Sequence, residues 1–193
     1  MVALNDKKTV GRSKIHPLKF LLIISCASIM MLFAGLTSAY IVRRAGGNWL
    51  EFRLPNLFFI NTVVILMSSV ALQAAYHYFK TGKEKLYKGL LFAAFILGLL
   101  FIVLQYQGWL DMHAIGVELT GNPAGSFVYV ISGVHVAHIL AGLAALTVAL
   151  VQAFSLKFTV TPRRKLRFEL TLIYWHFVGF LWLYLLTFFV IQS

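Results

Sequence analysis

The chain has 193 residues, of which 60% are hydrophobic and 12% charged, and its formal net charge is +11. About a quarter of the residues in a soluble globular domain are charged, so this composition excludes an ordinary soluble domain. The basic residues lie in short segments between long apolar runs, as is typical of cytoplasmic loops that meet anionic lipid headgroups. The positive charge therefore indicates a membrane surface as its partner, and we reject nucleic-acid binding.

Five apolar runs follow one another along the chain, after a basic tail over residues 1–19. Each run is longer than the ~20 residues that cross a hydrocarbon core of ~30 Å. Because main-chain polar groups in lipid must be satisfied within the segment, each run is predicted to be a helix. We therefore expect an all-α membrane protein, a bundle of five transmembrane helices in one domain over residues 20–193. The helices are predicted at residues 20–42, 56–79, 87–108, 126–154 and 170–191.

The distribution of Lys and Arg predicts the orientation of the bundle. If the N-terminus is inside, 14 Lys and Arg lie on the inner side and 3 on the outer side. Since cytoplasmic loops carry the excess of basic residues, the N-terminus is predicted to be cytoplasmic and the C-terminus periplasmic. The connection over residues 109–125, which holds Asp111 and Glu118, then faces outward.

Three histidines lie within the last two apolar runs. His135 and His138 are three residues apart and can share a helix face. His138 and His176 are predicted at comparable depth on antiparallel helices, where they could share a water, a lipid headgroup contact or a hydrogen bond. Ionisable groups in a membrane span are costly and are therefore candidates for function. Three interpretations stay open: structural histidines at a helix interface, a metal or haem site, and a role with protons or lipid.

Neighbouring residues bear on these interpretations. Three imidazole nitrogens would suit copper, zinc or haem iron. However, no acidic residue lies near His135 or His138 in the sequence, and His77 lies too near a helix end to complete a haem anchor of four histidines. Small residues recur every fourth position and favour a closely packed helix interface, across which histidine can hydrogen-bond. These residues are Gly133, Ala137 and Ala141, followed by Gly142.

The other polar and aromatic residues of the apolar runs form two sets. One set is predicted to hydrogen-bond between helices; it comprises Asn61, Ser68, Ser69 and Gln105. The other set fits interfacial belts, partner contacts or core filling; it comprises Trp109, Trp175, Trp182 and Tyr184. The sequence has no Walker motif, no nucleophile with a base and no pair of carboxylates within an apolar run. We therefore expect a non-catalytic membrane subunit, and a small transporter is disfavoured.

Two motifs carry a family resemblance. The fourth run has the pattern G-x-H-x-x-H-x-x-x-G, and the fifth has a glutamate followed by Y-W-H-F-V and a further tryptophan. Their residues are Gly133, His135, His138 and Gly142, then Glu169, Tyr174, Trp175, His176, Phe177, Val178 and Trp182. Shorter matches lie in the correct order in the first two runs. From about Lys19 to Ser193 the chain resembles subunit III of the haem-copper terminal oxidases.

The resemblance implies an accessory, non-catalytic subunit of a proton-pumping cytochrome c oxidase or quinol oxidase in a bacterial cytoplasmic membrane. It implies that haems and copper reside in partner subunits I and II, and that this chain holds no redox cofactor. The chain would bind phospholipid, support proton uptake and turnover stability, and could join a respiratory supercomplex. The alternative from another class is a haem-bearing membrane anchor of cytochrome b type. The candidate structural, proton or lipid-related residues are His135, His138, His176, Glu169, Trp175 and Gly142.

The chain departs from the family pattern at three points. The family usually has a membrane carboxylate after the serine of the first run, where this chain has Ile29. The W-H-F-V motif usually continues with Asp, where this chain has Gly179. Many members have seven helices, whereas five are predicted here, as in the short form that lacks the first pair. With both carboxylates replaced, the histidines are the main ionisable groups expected in the membrane core.

Overall fold

The computed structural model describes residues 16–192, which form five α-helices and no strand. The helices are α1 (Pro17–Ala45), α2 (Leu57–Lys80), α3 (Glu84–Ala114), α4 (Pro123–Ser155) and α5 (Pro162–Gln192). Each of these five is long and apolar enough to cross a membrane. The predicted all-α membrane class is therefore confirmed over the described range. Residues 1–15 of the predicted basic tail lie outside that range.

The helices extend beyond the apolar runs. α3 reaches Ala114 and α5 begins at Pro162, so these helices run beyond the predicted spans, which end near residue 108 and begin near residue 170. Hydropathy marks only the part of a helix that suits hydrocarbon, whereas the helix itself ends where its main-chain groups are capped. At the start of α4, the Asn122 side chain accepts a hydrogen bond of 2.9 Å from the Ala124 main-chain N–H. Such a cap, followed by proline in the first turn, fixes the beginning of the helix.

Four helices form the core of the bundle. α2 and α3 share the largest contact, α5 packs against α2 and α4, and α3 packs against α4. α1 lies on the outside of this group and contacts α4 and α5. The only buried residues of α1 are Phe33, Thr37 and Tyr40. The interior is therefore built by α2 to α5, with α1 attached to one side.

Because the helices alternate in direction, one end of the bundle holds the beginnings of α1, α3 and α5 and the ends of α2 and α4. We call it the basic end, since it carries ten of the Lys and Arg of the described range. They are Lys19, Lys80, Lys83, Lys85, Lys88, Lys157, Arg163, Arg164, Lys165 and Arg167. The opposite end carries three, Arg43, Arg44 and Arg53.

Candidate functional site

Trp175 lies at the centre of the four-helix core and is fully buried. Its indole N–H donates a hydrogen bond of 3.1 Å to Ser68 Oγ on α2. The Ser68 hydroxyl in turn donates a bond of 2.7 Å to the Ala94 carbonyl on α3. A buried tryptophan N–H usually requires such a partner. The chain of bonds therefore satisfies the indole and connects α5 to α2 and α3, and it confirms the interhelical bond predicted for Ser68.

Glycines on two helices allow the Trp175 ring to fit. A Cβ atom added to Gly142 of α4 would lie 2.8 Å from Trp175 Cε3, and one added to Gly98 of α3 would lie 2.8 Å from Trp175 Cη2. Both distances are well below the roughly 3.5–4.0 Å of a favourable carbon–carbon contact. The indole thus touches α3 and α4 only because these positions have no side chain. Gly98 was not singled out from the sequence, in which glycines in membrane helices are common.

The small-residue stripe of α4 does not form the close interface that the sequence pattern predicts. A Cβ atom at Gly133 would meet nothing within 4 Å, and Ala137 and Ala141 are exposed. Within this chain the prediction is therefore wrong, and the close approach is made through Gly142 instead. The spacing identifies a face of the helix, but it does not tell which face packs inward.

Two other tryptophans repeat the hydrogen-bond pattern of Trp175. The Trp182 indole N–H donates to Thr62 Oγ1 at 3.0 Å, and the Trp109 N–H donates to Ser132 Oγ at 2.9 Å. Each hydroxyl in turn donates to a main-chain carbonyl of its own helix. Trp175 and Trp182 are therefore core residues. The predicted polar contact between α2 and α3 is also confirmed, because Asn61 Nδ2 donates to Gln105 Oε1 at 3.0 Å.

His135 lies in an aromatic cage that three helices form. Its ring centroid is 6.2 Å from that of Phe33 on α1, 5.9 Å from Phe101 on α3 and 5.2 Å from Trp182 on α5. The side chain is fully buried, and neither ring nitrogen has a hydrogen-bond partner among the described residues. An unpartnered buried polar group costs about 1–3 kcal/mol. The aromatic contacts of the cage are therefore what holds the His135 ring in place.

His138 and His176 have separate partners. His138 Nδ1 donates a hydrogen bond of 2.7 Å to the Val134 carbonyl, and the ring contacts Phe33 with centroids 5.6 Å apart. His176 Nε2 lies 3.1 Å from Gln73 Oε1 on α2. His138 thus faces α1 and His176 faces α2. The hydrogen bond between the two histidines that the sequence allows is not formed.

The three histidines are also not arranged as metal ligands. Within residues 16–192, no three side chains of His, Cys, Asp or Glu are grouped so that they could hold a metal ion. His135 and His138 both contact the Phe33 ring of α1, whereas His176 contacts Gln73 of α2. The described residues therefore do not form the three-nitrogen site that the sequence allows.

Glu169 joins three helices at the basic end. Its Oε2 forms an ion pair with Lys19 Nζ of α1, and its Oε1 accepts a hydrogen bond from the Tyr76 hydroxyl of α2. The family motif indicated Glu169, but neither Lys19 nor Tyr76 was identified as its partner. Tyr76 is 93 positions away in the sequence, and no local pattern connects residues at such a distance.

Polar contacts also attach α1 to the far end of α5. The hydroxyl oxygens of Thr37 and Tyr184 are 2.8 Å apart and share a hydrogen bond. At the last turn, Arg44 donates to the main-chain carbonyl and the side-chain oxygen of Gln192 at 2.6 and 2.7 Å. Together with the Lys19–Glu169 pair, these bonds hold α1 along its whole length, although little of it is buried.

The long apolar helices pack into a tight core, which tryptophan–hydroxyl hydrogen bonds link and a basic end flanks. These features define an integral membrane protein with several spans. Its sequence matches the family model "Cytochrome c oxidase subunit III" over residues 14–193. The chain belongs to this family.

Curated relatives agree with that assignment. The chain is 32% identical to "Cytochrome c oxidase subunit 3" of Gallus gallus over 126 residues, which cover 65% of this chain and 46% of that protein. It is 29% identical to the protein of the same name from Corynebacterium diphtheriae over 162 residues, covering 80% and 78%. It is 28% identical to "Probable cytochrome c oxidase subunit 3" of Mycobacterium bovis over 197 residues, covering 96% of each. The chain thus spans about half the length of its vertebrate relatives and most of its bacterial ones.

Proposed function

We propose that this chain is the accessory subunit III of a proton-pumping cytochrome c oxidase and packs against catalytic subunit I in a complex with subunit II. The observation that carries the proposal is the family match over residues 14–193. Both sequence motifs of the family contribute residues to the packed core, where Trp175 meets Gly142 and His135 lies in its aromatic cage. In this proposal the haems and copper belong to the partner subunits, and electrons pass from cytochrome c to oxygen without entering this chain.

The proposed role is to stabilise the catalytic subunit during turnover, to support its proton uptake and to bind phospholipid. Ile29 and Gly179 replace the two carboxylates of the family pattern. The support of proton uptake is therefore assigned to the shape and lipid contacts of the subunit. The closely packed core around Trp175 supports a scaffold of this kind, because it leaves α1 and the outer faces of α2 and α3 free to contact lipid and partner subunits.

The proposed location is a bacterial cytoplasmic membrane, with the basic end in the cytoplasm and the C-terminus in the periplasm. The excess of Lys and Arg at the basic end supports this orientation. Reporter fusions would test it: a reporter that is active only in the periplasm should work at the C-terminus and fail in the loop between α2 and α3. The reverse pattern would contradict the orientation.

Purification of the tagged chain from its native membrane tests the function. We expect it to bring down haem-copper subunits I and II, with haem and copper spectra and oxygen reduction by reduced cytochrome c. When the subunits are then separated, haem should remain with the partners. Haem that stays with this chain in stoichiometric amount would support the cytochrome b type alternative, and oxidation of a quinol in place of cytochrome c would assign the chain to a quinol oxidase.

A further inference from the structure

The two halves of α1 are attached to the bundle in different ways. The buried residues Phe33, Thr37 and Tyr40 all lie in the half that leads away from the basic end. Residues 17–32, which form the other half, have no buried member. This half is roughly 24 Å long at 1.5 Å per residue. Because lipid tails are as apolar as a neighbouring helix, a segment that buries no side chain gains little by staying against the bundle.

One ion pair attaches residues 17–32 to the other helices. Lys19 Nζ lies 2.5 Å from Glu169 Oε2 on α5. Within the described part of the chain, the segment makes no other hydrogen bond or ion pair with a different helix. The Ser25 hydroxyl, for example, donates to the Leu21 carbonyl of its own helix. The position of this half therefore depends on a single contact between charged side chains.

The ion pair is exposed enough for salt to weaken it. The Lys19 and Glu169 side chains are 33% and 20% exposed. Such a pair restricts two long side chains, and ions in solution screen its attraction. Glu169 keeps other partners when Lys19 leaves, because the Tyr76 hydroxyl bonds to its other oxygen and Lys165 attracts it from the same helix. Separation of the pair therefore leaves no isolated carboxylate.

The other half of α1 is attached mainly through neutral groups. Arg44 donates hydrogen bonds of 2.6 and 2.7 Å to the carbonyl and the side-chain oxygen of Gln192. The Tyr40 ring lies edge-on to three aromatic rings at centroid distances of 4.6 to 5.7 Å. These rings belong to Trp49, Phe127 and Phe188. Salt has little effect on such contacts, so this half stays in place when the ion pair separates.

A glycine lies between the two halves. Gly35 follows residues 17–32 within one turn, and a glycine in a helix interior weakens the helix at that point. A Cβ atom at Gly35 would meet nothing within 4 Å, so packing does not require a glycine here. α1 can therefore bend at Gly35 while its far half remains attached.

We propose that residues 17–32 act as a hinged lid on the flank of the bundle. The lid bends at Gly35 and is held closed by the Lys19–Glu169 ion pair, so salt at the basic end opens it. Opening uncovers Tyr174 of α5, which lies near Cys26 of the closed lid. This conformational device goes beyond the scaffold role, because it makes one lateral surface of the chain responsive to charge.

Labelling of Cys26 in the full-length chain, reconstituted in lipid nanodiscs, tests the lid. Cys26 is the sole cysteine and is half-buried, so its reaction with a membrane-permeable maleimide reports opening. We expect about 1 M salt to raise the wild-type rate about two- to fivefold, because the screening length falls to ~3 Å and an exposed ion pair is weak. Glu169→Gln should raise the rate by the same factor and abolish the response to salt.

Three further variants separate the lid from a general loosening of the chain. Lys19→Arg keeps the charge and should keep the slow rate. Gly35→Ala stiffens the hinge without a clash and should slow labelling, both alone and combined with Glu169→Gln. Lys85→Gln removes an exposed charge at the same end and should leave the rate unchanged.

A second probe locates the hinge. With Cys26→Ser, the variant Leu36→Cys places the sole thiol at a half-buried position beyond Gly35. Its labelling should respond neither to salt nor to Glu169→Gln. Equal acceleration at the two probes would overturn the proposal, since the whole helix would then leave the bundle. A Cys26 rate that does not respond to salt would also overturn it, and this measurement needs no substitution that could impair folding.

Discussion

Trp175 shows how far single-residue features can be inferred from the sequence. Its family motif marked the residue, and a buried indole N–H usually needs a partner. That Ser68 is the partner, and that Gly98 and Gly142 admit the two edges of the ring, follows only from the relative positions of four helices. Sequence spacing gives positions within one helix, but the rotation of each helix about its axis is set by packing against the others.

Substitution of Gly142 tests this packing. Gly142→Ala places a Cβ atom 2.8 Å from the Trp175 ring, so we expect destabilisation of about 1–3 kcal/mol, as is usual for overpacking. The measurement is the thermal unfolding midpoint of the purified chain in detergent. Gly133→Ala is the control, because its Cβ atom would meet nothing within 4 Å. Equal midpoints for the two variants would show that the indole can move away at no cost.

His135 allows the structural interpretation to be tested against the proton-related one. Since neither ring nitrogen is bonded, His135→Phe should keep the aromatic cage while removing an unsatisfied group, and such an exchange is nearly neutral. We expect assembly, oxygen reduction and proton pumping to stay near the wild-type values. Loss of pumping in a variant that assembles normally would assign a proton role to the His135 ring.

At the scale of elements, the five spans follow from hydropathy because the bilayer sets their length. The ends of the helices do not follow from hydropathy, because caps and loop contacts determine where a helix begins and ends. Asn122, which caps the start of α4, is an example. The peripheral place of α1 was also not predictable. Its apolar run resembles the other four in the sequence, yet only Phe33, Thr37 and Tyr40 are buried.

The attachment of α1 depends on Phe33, which is fully buried against His135 and His138. Phe33→Ala should loosen α1, because truncation of a buried Phe costs about 3–5 kcal/mol in a closed core. Cys26, the sole cysteine, lies on α1 and reports this movement through its rate of labelling by a membrane-permeable maleimide. We expect labelling to become severalfold faster in Phe33→Ala and to stay unchanged in Met31→Ala, where the side chain is 76% exposed. An unchanged rate in Phe33→Ala would mean that the polar contacts alone hold α1.

At the scale of the whole molecule, the all-α membrane class and the family were accessible from the sequence, because composition and motif order are properties of the entire chain. The partners of the candidate residues were not accessible. His176 contacts Gln73, and Glu169 contacts Lys19 and Tyr76, through pairings between distant helices. The histidines that the sequence suggested as one cluster are therefore distributed over two faces of the core.

His138 links α1 to the four-helix core. Its ring contacts Phe33 of α1, and its Nδ1 bonds to the carbonyl of its own helix, so the residue positions α1. We expect His138→Leu to reduce assembly or long-term turnover more than the initial rate of oxygen reduction. Immediate loss of electron transfer in an intact complex would contradict this expectation and place His138 in the redox chemistry.

The central claim is that this chain supports an oxidase whose chemistry lies in other subunits. The most direct measurement is oxygen consumption over time by the purified oxidase, with this chain present and after its removal. The account predicts that the initial rate and the haem content persist without the chain, whereas activity declines sooner during continuous turnover. When the chain is added back, the oxidase should stay active for as long as it did before the chain was removed. Loss of haem or of the initial rate on removal of the chain would contradict the account.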